Sequence, residues 1–148
     1  MISPEVLRRY PYFAGIDDNS LRQIAMITEE KPGIPAGTQL FAEGEQVKHL
    51  GIILNGEVNI QYLLGSGEMR IVDTLVGGDL LGFSALIEPY KYTGFATTTQ
   101  RTDLALLDAA KLRALCHQDP LLGFQLTLEV AKLLAHRLEG ARVQLAAV

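Results

Sequence analysis

The chain begins with two short stretches in which capping residues precede an apolar helical face. Ser3-Pro4-Glu5 predicts a helix start, because serine caps free amide groups and proline suits the first helical turn. A second short helix is expected to begin between residues 17 and 20. Its apolar face consists of Leu21, Ile24 and Ile27. Residues 1–28 are therefore expected to form N-terminal helices.

Residues 29–108 show the short alternating segments that are typical of β-strands. The clearest alternation surrounds Asn55-Gly56, a dipeptide that strongly favours tight hairpin turns. Its apolar positions are Leu50, Ile52 and Leu54 before the turn and Val58, Ile60 and Tyr62 after it. We therefore predict that the two arms pair as a β-hairpin. A further turn at Gly65-Ser66-Gly67, and turns recurring every ~8–12 residues, favour a compact barrel or sandwich.

Residues 109–148 lack this alternation and have helical spacing instead. Asp108 is the expected N-cap of a helix from Ala109 to His117. Asp119-Pro120 repeats the capping pattern and begins a helix that no proline interrupts as far as Val148. At ~1.5 Å per residue this helix would extend about 43 Å, which is too long to lie wholly on a domain of this size.

The long helix carries two apolar rows. The first, which we call the seam, has the three- and four-residue steps of a coiled coil. The seam consists of Phe124, Thr127, Ala131, Leu134, Leu138, Ala141, Leu145 and Val148, and the second row of Leu122, Leu126, Val130 and Leu133. We predict that the second row, which stops before Arg137, packs on the β-region, and that the seam forms a homodimer through residues 120–148. The alternative is that both rows belong to the core of one chain.

Composition indicates a single globular domain over residues 1–148. Apolar residues make up 48% of the chain and charged residues 20%, which excludes extended disorder. A chain of 148 residues can bury a sufficient core without disulfides, and the single Cys116 could not form one within the chain. One cysteine also excludes a four-cysteine zinc or iron–sulfur site.

Charge and terminal sequence limit the possible partners. The formal net charge is −4 and the basic residues are scattered, so we expect no direct DNA binding by this chain. Early charged residues interrupt any signal-peptide core, and no uncharged apolar run approaches ~20 residues. We expect a cytoplasmic protein without membrane contact.

The placement of histidines argues against an enzyme. Metal-dependent enzymes with jelly-roll folds need histidines that converge from neighbouring strands. His49 stands alone at a predicted strand start, whereas His117 and His136 lie in the helical region. Cys116 and His117 are adjacent on a helix, and adjacent helical side chains do not face each other. We therefore predict no catalytic residue, no metal site and no cofactor, with an unidentified small ligand left open.

Three stretches together resemble the cyclic nucleotide-binding domain family. They are Phe41-Ala42-Glu43-Gly44-Glu45, residues 50–58 (LGIILNGEV) and Gly78-Asp79-Leu80-Leu81-Gly82. With the helical lead-in and the long C-terminal helix, the resemblance covers essentially the whole chain. It implies a mainly β fold with flanking helices, namely the β-roll or double-stranded β-helix jelly roll found in sensor domains of catabolite-activator-type regulators.

The resemblance also implies a ligand-binding cassette, which we define as residues 78–94. In the family this cassette reads Gly-Asp-x-x-Gly-Glu and continues, about ten residues later, with Arg-Ser/Thr-Ala. The matching residues are Gly78, Asp79 and Gly82. Phe83 occupies the position of the glutamate that binds the ribose hydroxyl, and Thr93 that of the arginine that neutralises the phosphate. Gly94 then stands where Ser or Thr is usual, and we expect a site without a guanidinium.

Other residues of the cassette could still contribute to a ligand site. Ser84, Lys91 and Tyr92 complete the set of candidate ligand-binding residues. Lys91, or Arg70 or Arg101 from neighbouring strands, could supply a positive charge; the alternative is that they are solvated surface charges. The aromatic residues of this region are Phe83, Tyr90, Tyr92 and Phe95. Such a cluster either fills the site as core or lines a site for a less charged ligand.

The sequence therefore predicts a non-catalytic regulatory or ligand-sensing module with an altered phosphate and ribose site. We expect that it does not bind cAMP in the manner usual for the family. One alternative is a genuine cAMP or cGMP sensor that uses substitute contacts. Another is an interaction module that binds a protein partner and no nucleotide. Regulators of the family that this chain resembles continue past the long helix into a helix-turn-helix domain, so a stand-alone sensor and the sensor half of a truncated transcription regulator both stay open.

Overall fold

The computed structural model describes residues 1–147, so Val148, the last position of the predicted seam, lies outside the described residues. Helices α1 to α4 span Pro4–Arg8, Asp18–Met26, Ala109–Gln118 and Pro120–Ala146. Strands β1 to β8 span Thr28–Ile34, Gln39–Phe41, His49–Asn55, Glu57–Leu63, Met69–Val76, Leu80–Leu81, Phe95–Thr98 and Thr102–Asp108. Two 3-10 turns occupy Pro11–Phe13 and Phe83–Leu86. Within residues 1–147, no helix is both long enough and apolar enough to cross a membrane.

A side-chain oxygen caps the start of each α-helix described here, and the sequence predicts this for Ser3, Asp108 and Asp119. The accepting residues and their amide donors are Ser3 and Glu5 (3.3 Å), Asp17 and Ser20 (2.8 Å), Asp108 and Lys111 (2.9 Å), and Asp119 and Leu122 (3.2 Å). Proline occupies the first turn of α1 and of α4, where its missing N–H group leaves no hydrogen bond unmade. The local capping chemistry therefore fixes where the helices begin.

In the described part of the chain, eight strands form two four-stranded antiparallel sheets. One sheet has the order β1-β8-β3-β6 and the other the order β2-β7-β4-β5. A buried cluster joins them, in which Ile53 and Leu104 of the first sheet meet Val58 and Ala96 of the second. The expected mainly β jelly roll with flanking helices is therefore confirmed.

The predicted hairpin around Asn55-Gly56 is wrong. Strand β3 pairs with β8 and β6, whereas β4 pairs with β5 and β7, so the two arms belong to different sheets. A type I′ hairpin turn needs positive φ at both central residues. Gly56 has a φ of 116°, but among the described residues only Tyr90 is a non-glycine with positive φ. The chain crosses between sheets at this point, and β4 forms its hairpin with β5 through the predicted turn at residues 65–67.

The second apolar row of α4 packs into the core, as predicted. Leu122, Leu126 and Val130 are buried, and Leu133 packs partly against the same core. Three seam residues remain largely exposed: Phe124 at 64%, Leu138 at 53% and Leu145 at 77%. The alternative that both rows belong to the core of one chain is therefore wrong for these three positions.

We predict that Gly56 is sensitive to substitution because the crossing between sheets is tightly packed. A Cβ atom at Gly56 would overlap the Thr102 hydroxyl and lie 2.7 Å from Arg101 O. Gly56→Ala should lower the free energy of unfolding by about 2–4 kcal/mol. Gly67→Ala is the matched control, because its φ is also positive (86°) but its surroundings are open, and it should lose about 1 kcal/mol. Urea denaturation measures both losses, and equal losses would contradict the steric explanation.

Candidate functional site

A cavity of about 240 Å³ lies between the cassette, the β4–β5 hairpin and the second half of α4. Six of the nine candidate residues line it: Gly82, Phe83, Ser84, Tyr92, Thr93 and Gly94. Leu134, Arg137 and Ala141 of α4 line another side. The fold therefore brings most of the predicted cassette together with a helix segment that lies some forty residues or more further along the chain.

Gly82 sets the turn that leads from β6 into the cassette. Its φ is 73°, and a Cβ atom here would lie 2.9 Å from His49 O, so both the conformation and the space require glycine. The 3-10 turn follows directly, and it buries the Ser84 side chain. Glycine at this position therefore lets the chain turn directly from β6 into the 3-10 turn.

The two positions that depart from the family pattern both line the cavity. Phe83 is half-buried, and its ring also packs against the larger core cluster. Thr93 is exposed, and Gly94 beside it is buried. A Cβ atom at Gly94 would lie 2.7 Å from Cε1 of Tyr62, so glycine allows the Tyr62 ring to lie directly on this loop. An aromatic ring and a neutral hydroxyl therefore occupy the places of the expected glutamate and arginine.

Tyr92 and Phe41 form a flat aromatic wall of the cavity. Their ring centroids lie 3.7 Å apart and the ring planes differ by only 5°. Burial raises the pKa of the Tyr92 hydroxyl, and the negative charge of Glu45 raises it further. Tyr92 therefore presents a neutral phenol at physiological pH.

Three candidate residues lie outside the cavity lining and have other contacts. Gly78 O accepts a hydrogen bond from the Tyr12 hydroxyl at 3.0 Å, and Asp79 accepts one from the Val76 amide at 2.8 Å. Lys91 is exposed and pairs with Gln46 through an isolated β-bridge. The contacts of Gly78 and Asp79 shape the turn before β6, and none of the three residues lines this cavity.

Sequence reasoning missed Arg137, so the expectation of a site without a guanidinium is wrong. Arg137 donates from Nη2 to Leu80 O at 2.9 Å, and its Nε lies 3.7 Å from an oxygen of Asp73. The candidate cations Arg70 and Arg101 are exposed and do not line the cavity. One signal could have identified Arg137: it continues the helical spacing of the buried second row, four residues after Leu133.

The site residues do not resemble a metal centre. Within residues 1–147, no group of three His, Cys, Asp or Glu residues is placed to hold a metal ion. His49 is half-buried in β3, while His117 and His136 are exposed on α3 and α4. The cavity instead combines aromatic and aliphatic walls with one arginine, one aspartate and several hydroxyl groups.

The chain belongs to the cyclic nucleotide-binding domain family, because residues 33–119, more than half of the chain, match the profile of that domain. It is 28% identical over 144 residues to the CRP-like cAMP-activated global transcriptional regulator of Mycobacterium tuberculosis. That alignment covers 96% of this chain and 61% of the relative, so the chain spans less than two-thirds of the relative's length.

Solved structures agree with the family and with the β-roll fold. A Geobacter metallireducens protein whose name assigns it to cyclic nucleotide binding superimposes with a TM-score of 0.84 and 36% identity, covering 93% of this chain and 99% of that one. The cAMP-bound regulatory domain of Toxoplasma gondii PKA gives a TM-score of 0.68 and 29% identity, covering 76% and 42%. The catabolite activator protein of Thermus thermophilus (TM-score 0.72, 24% identity, covering 92% and 62%) shares the fold. The predicted family is confirmed, and the M. tuberculosis and T. gondii relatives are regulatory proteins rather than enzymes.

We predict that ionisation of Tyr92 destabilises the fold at alkaline pH. Because the pKa of Tyr92 is raised in the folded state, its neutral form stabilises the fold below pH ~10, and this contribution is lost as the pH rises further. Tyr92→Phe should therefore flatten the fall in unfolding free energy above pH ~10. Urea denaturation from about pH 8 to about pH 11 gives the unfolding free energy of both proteins as a function of pH. If the unfolding free energy falls equally with pH in the parent and in the variant, ionisation of Tyr92 is not the cause of the alkaline destabilisation.

Proposed function

We propose that this chain is a non-catalytic, ligand-sensing regulatory module whose altered cassette does not bind cAMP in the usual manner of the family. The observation that carries the proposal is that Phe83 and Thr93, at the glutamate and arginine positions, both line the cavity. As proposed, the module acts in the cytoplasm and makes no direct contact with DNA or membrane. Its output passes through a second copy of the chain or through another protein partner.

The lost contacts are large enough to decide nucleotide binding. A phenyl ring cannot accept a hydrogen bond from a ribose hydroxyl. A buried phosphate without its paired arginine typically loses about 3–5 kcal/mol. This loss corresponds to a roughly two to four orders of magnitude lower affinity. Arg137 reduces this deficit only in part, because the neighbouring Asp73 carboxylate offsets its positive charge.

The size of the cavity supports the same proposal. Its volume of about 240 Å³ lies below the roughly 300–1,000 Å³ that is usual for sites of drug-sized ligands. The Phe83 ring takes up part of the space beside the cassette, although it does not close the cavity. The site is therefore better suited to a ligand smaller than a nucleotide.

A cyclic nucleotide sensor with substitute contacts is the second candidate function. The presence of Arg137 in the cavity favours it, because a guanidinium on α4 could pair with a cyclic phosphate. The M. tuberculosis relative, which is named for cAMP activation, and the T. gondii domain, whose structure contains cAMP, also support this candidate. In this case the chain would be the sensor half of a longer transcription regulator, in line with the 61% of the M. tuberculosis relative that aligns.

We also propose that the module is a homodimer through the seam of α4. The exposed Phe124, Leu138 and Leu145 supply apolar contacts at coiled-coil spacing. Leu134 and Ala141 belong to the seam and also line the cavity. A ligand in the cavity would therefore contact the helix segment that we assign to dimerisation, which gives ligand binding a route to the dimer.

We predict that calorimetric titration of the full chain with cAMP and cGMP detects no micromolar binding. The T. gondii PKA regulatory domain is a suitable positive control for cAMP, since its structure contains that ligand. The double variant Phe83→Glu/Thr93→Arg restores both missing cassette groups and should bind cAMP more tightly than the parent. Micromolar binding of cAMP by the parent chain would overturn the altered-site proposal and favour the second candidate.

We predict that Leu138→Glu combined with Leu145→Glu yields a monomer in sedimentation or light-scattering measurements. Both side chains are exposed, so two buried like charges would appear only in the dimer. Val143→Glu is the matched control, because Val143 is also exposed (60%) but lies on the opposite side of the coiled-coil repeat. The control should keep the parent size. The proposed dimer through the seam would be contradicted by a monomeric parent chain or by a dimeric double variant.

A further inference from the structure

Arg137 has hydrogen-bonding capacity that its present contacts do not use. It is the one basic residue that lines the cavity within residues 1–147. A guanidinium carries five N–H donors, whereas the contacts recorded for Arg137 are one hydrogen bond to Leu80 O and one ion pair with Asp73. The N–O distance of that ion pair, 3.7 Å, is longer than a good hydrogen bond. Most of the donors therefore remain for a ligand.

The surroundings of Arg137 limit the charge that a ligand can bring. The side chain of Arg137 is 22% exposed and that of Asp73 41% exposed, so the pair lies at the edge of the cavity rather than in bulk solvent. The two charges balance each other, and displacing Asp73 toward solvent would leave one positive charge for one negative group. A phosphate monoester brings a charge of about −1.5 to −2 and would remain partly unpaired. A single carboxylate matches the paired N–H groups of a guanidinium.

The other walls determine the body of the ligand. The stacked rings of Phe41 and Tyr92, with Phe83 and Leu75, give the cavity aromatic and aliphatic surfaces. The hydroxyl of Ser84 adds a neutral polar group. Such walls favour an apolar or aromatic body, because burial of apolar area is favourable and burial of unpaired polar groups is not.

We propose that the cavity binds a small monocarboxylate with an apolar or aromatic body, and that Arg137 of α4 binds its carboxylate. This inference rests on the proposed function, since it assigns a ligand class to the same sensing site. The ligand would contact the cassette and α4 at once and would compete with the Asp73 carboxylate for the positive charge of the guanidinium. Arg137 would then determine specificity by requiring one negative charge.

The test is a calorimetric titration of the full chain with hexanoate and benzoate, compared with the neutral hexanamide and benzamide. Both acids should bind, and both amides should bind at least about tenfold more weakly. Arg137→Met should weaken binding of the acids about tenfold to hundredfold, because a charge-assisted pair is lost. Arg142→Met is the matched control, because Arg142 is exposed on the same helix and does not line the cavity, and it should leave the affinity unchanged.

Two further variants keep the test decisive if Arg137→Met does not fold. Arg137→Lys keeps the charge but loses the paired donors. Its affinity for the acids should therefore lie between the affinity of the parent for the acids and that of the parent for the amides. Asp73→Asn removes the competing carboxylate and should tighten binding of the acids several-fold. Unchanged affinity in both variants would overturn the role of Arg137.

The outcomes separate this inference from the proposed function. If neither acid binds, or if acids and amides bind equally, the ligand class is wrong, although the altered-site proposal stands as long as cAMP and cGMP also fail to bind. If parent and Arg137→Met bind the acids equally, the anchoring role is wrong and the altered site again stands. Micromolar cAMP binding in the same titrations would overturn the altered site, whatever the acids do.

Discussion

The packing of α4 on the roll is the interaction on which the rest of the structure depends. Leu122, Leu126 and Val130 are buried in the main core, and burying such side chains is worth about 1.5–3 kcal/mol each. The partly exposed ion pair of Arg137 and Asp73 is worth about 0–1 kcal/mol by comparison. Apolar packing therefore fixes the rotation of the helix. That rotation leaves the seam exposed and carries Arg137 to the cavity.

The proposed function separates the turn geometry of the cassette from its ligand-recognising side chains. Gly82 has the left-handed conformation that its turn requires, and Gly94 allows Tyr62 to approach the loop closely. These are constraints of conformation and space, and they hold for any ligand. Phe83 and Thr93 are side-chain differences from the family pattern on that backbone, so the altered ligand recognition that we propose requires no other fold. A shared fold is therefore compatible with a different ligand.

The position of the cavity suggests how a ligand would act on the proposed dimer. Arg137 lies on α4 between Leu134 and Ala141, which belong to the seam and also line the cavity. A ligand can shift an equilibrium between two helix arrangements only through contacts that differ between them. The ion pair of Arg137 with Asp73 is a contact of this kind, since a bound anion would compete with the Asp73 carboxylate for the guanidinium. We therefore place the coupling between ligand and dimer at this point of the helix.

The sequence by itself determined the local features of this protein. Caps such as Asp108 and Asp119, the buried row of α4 and the departures at Phe83 and Thr93 all depend on residues close together in the chain. The tertiary structure decided which strands pair across Asn55-Gly56, because local alternation shows that a strand has a buried face but does not show which partner covers it. It also decided which cation reaches the cavity. Arg137 and its partner Leu80 lie 57 residues apart, and only the packing of the helix on the roll brings them together.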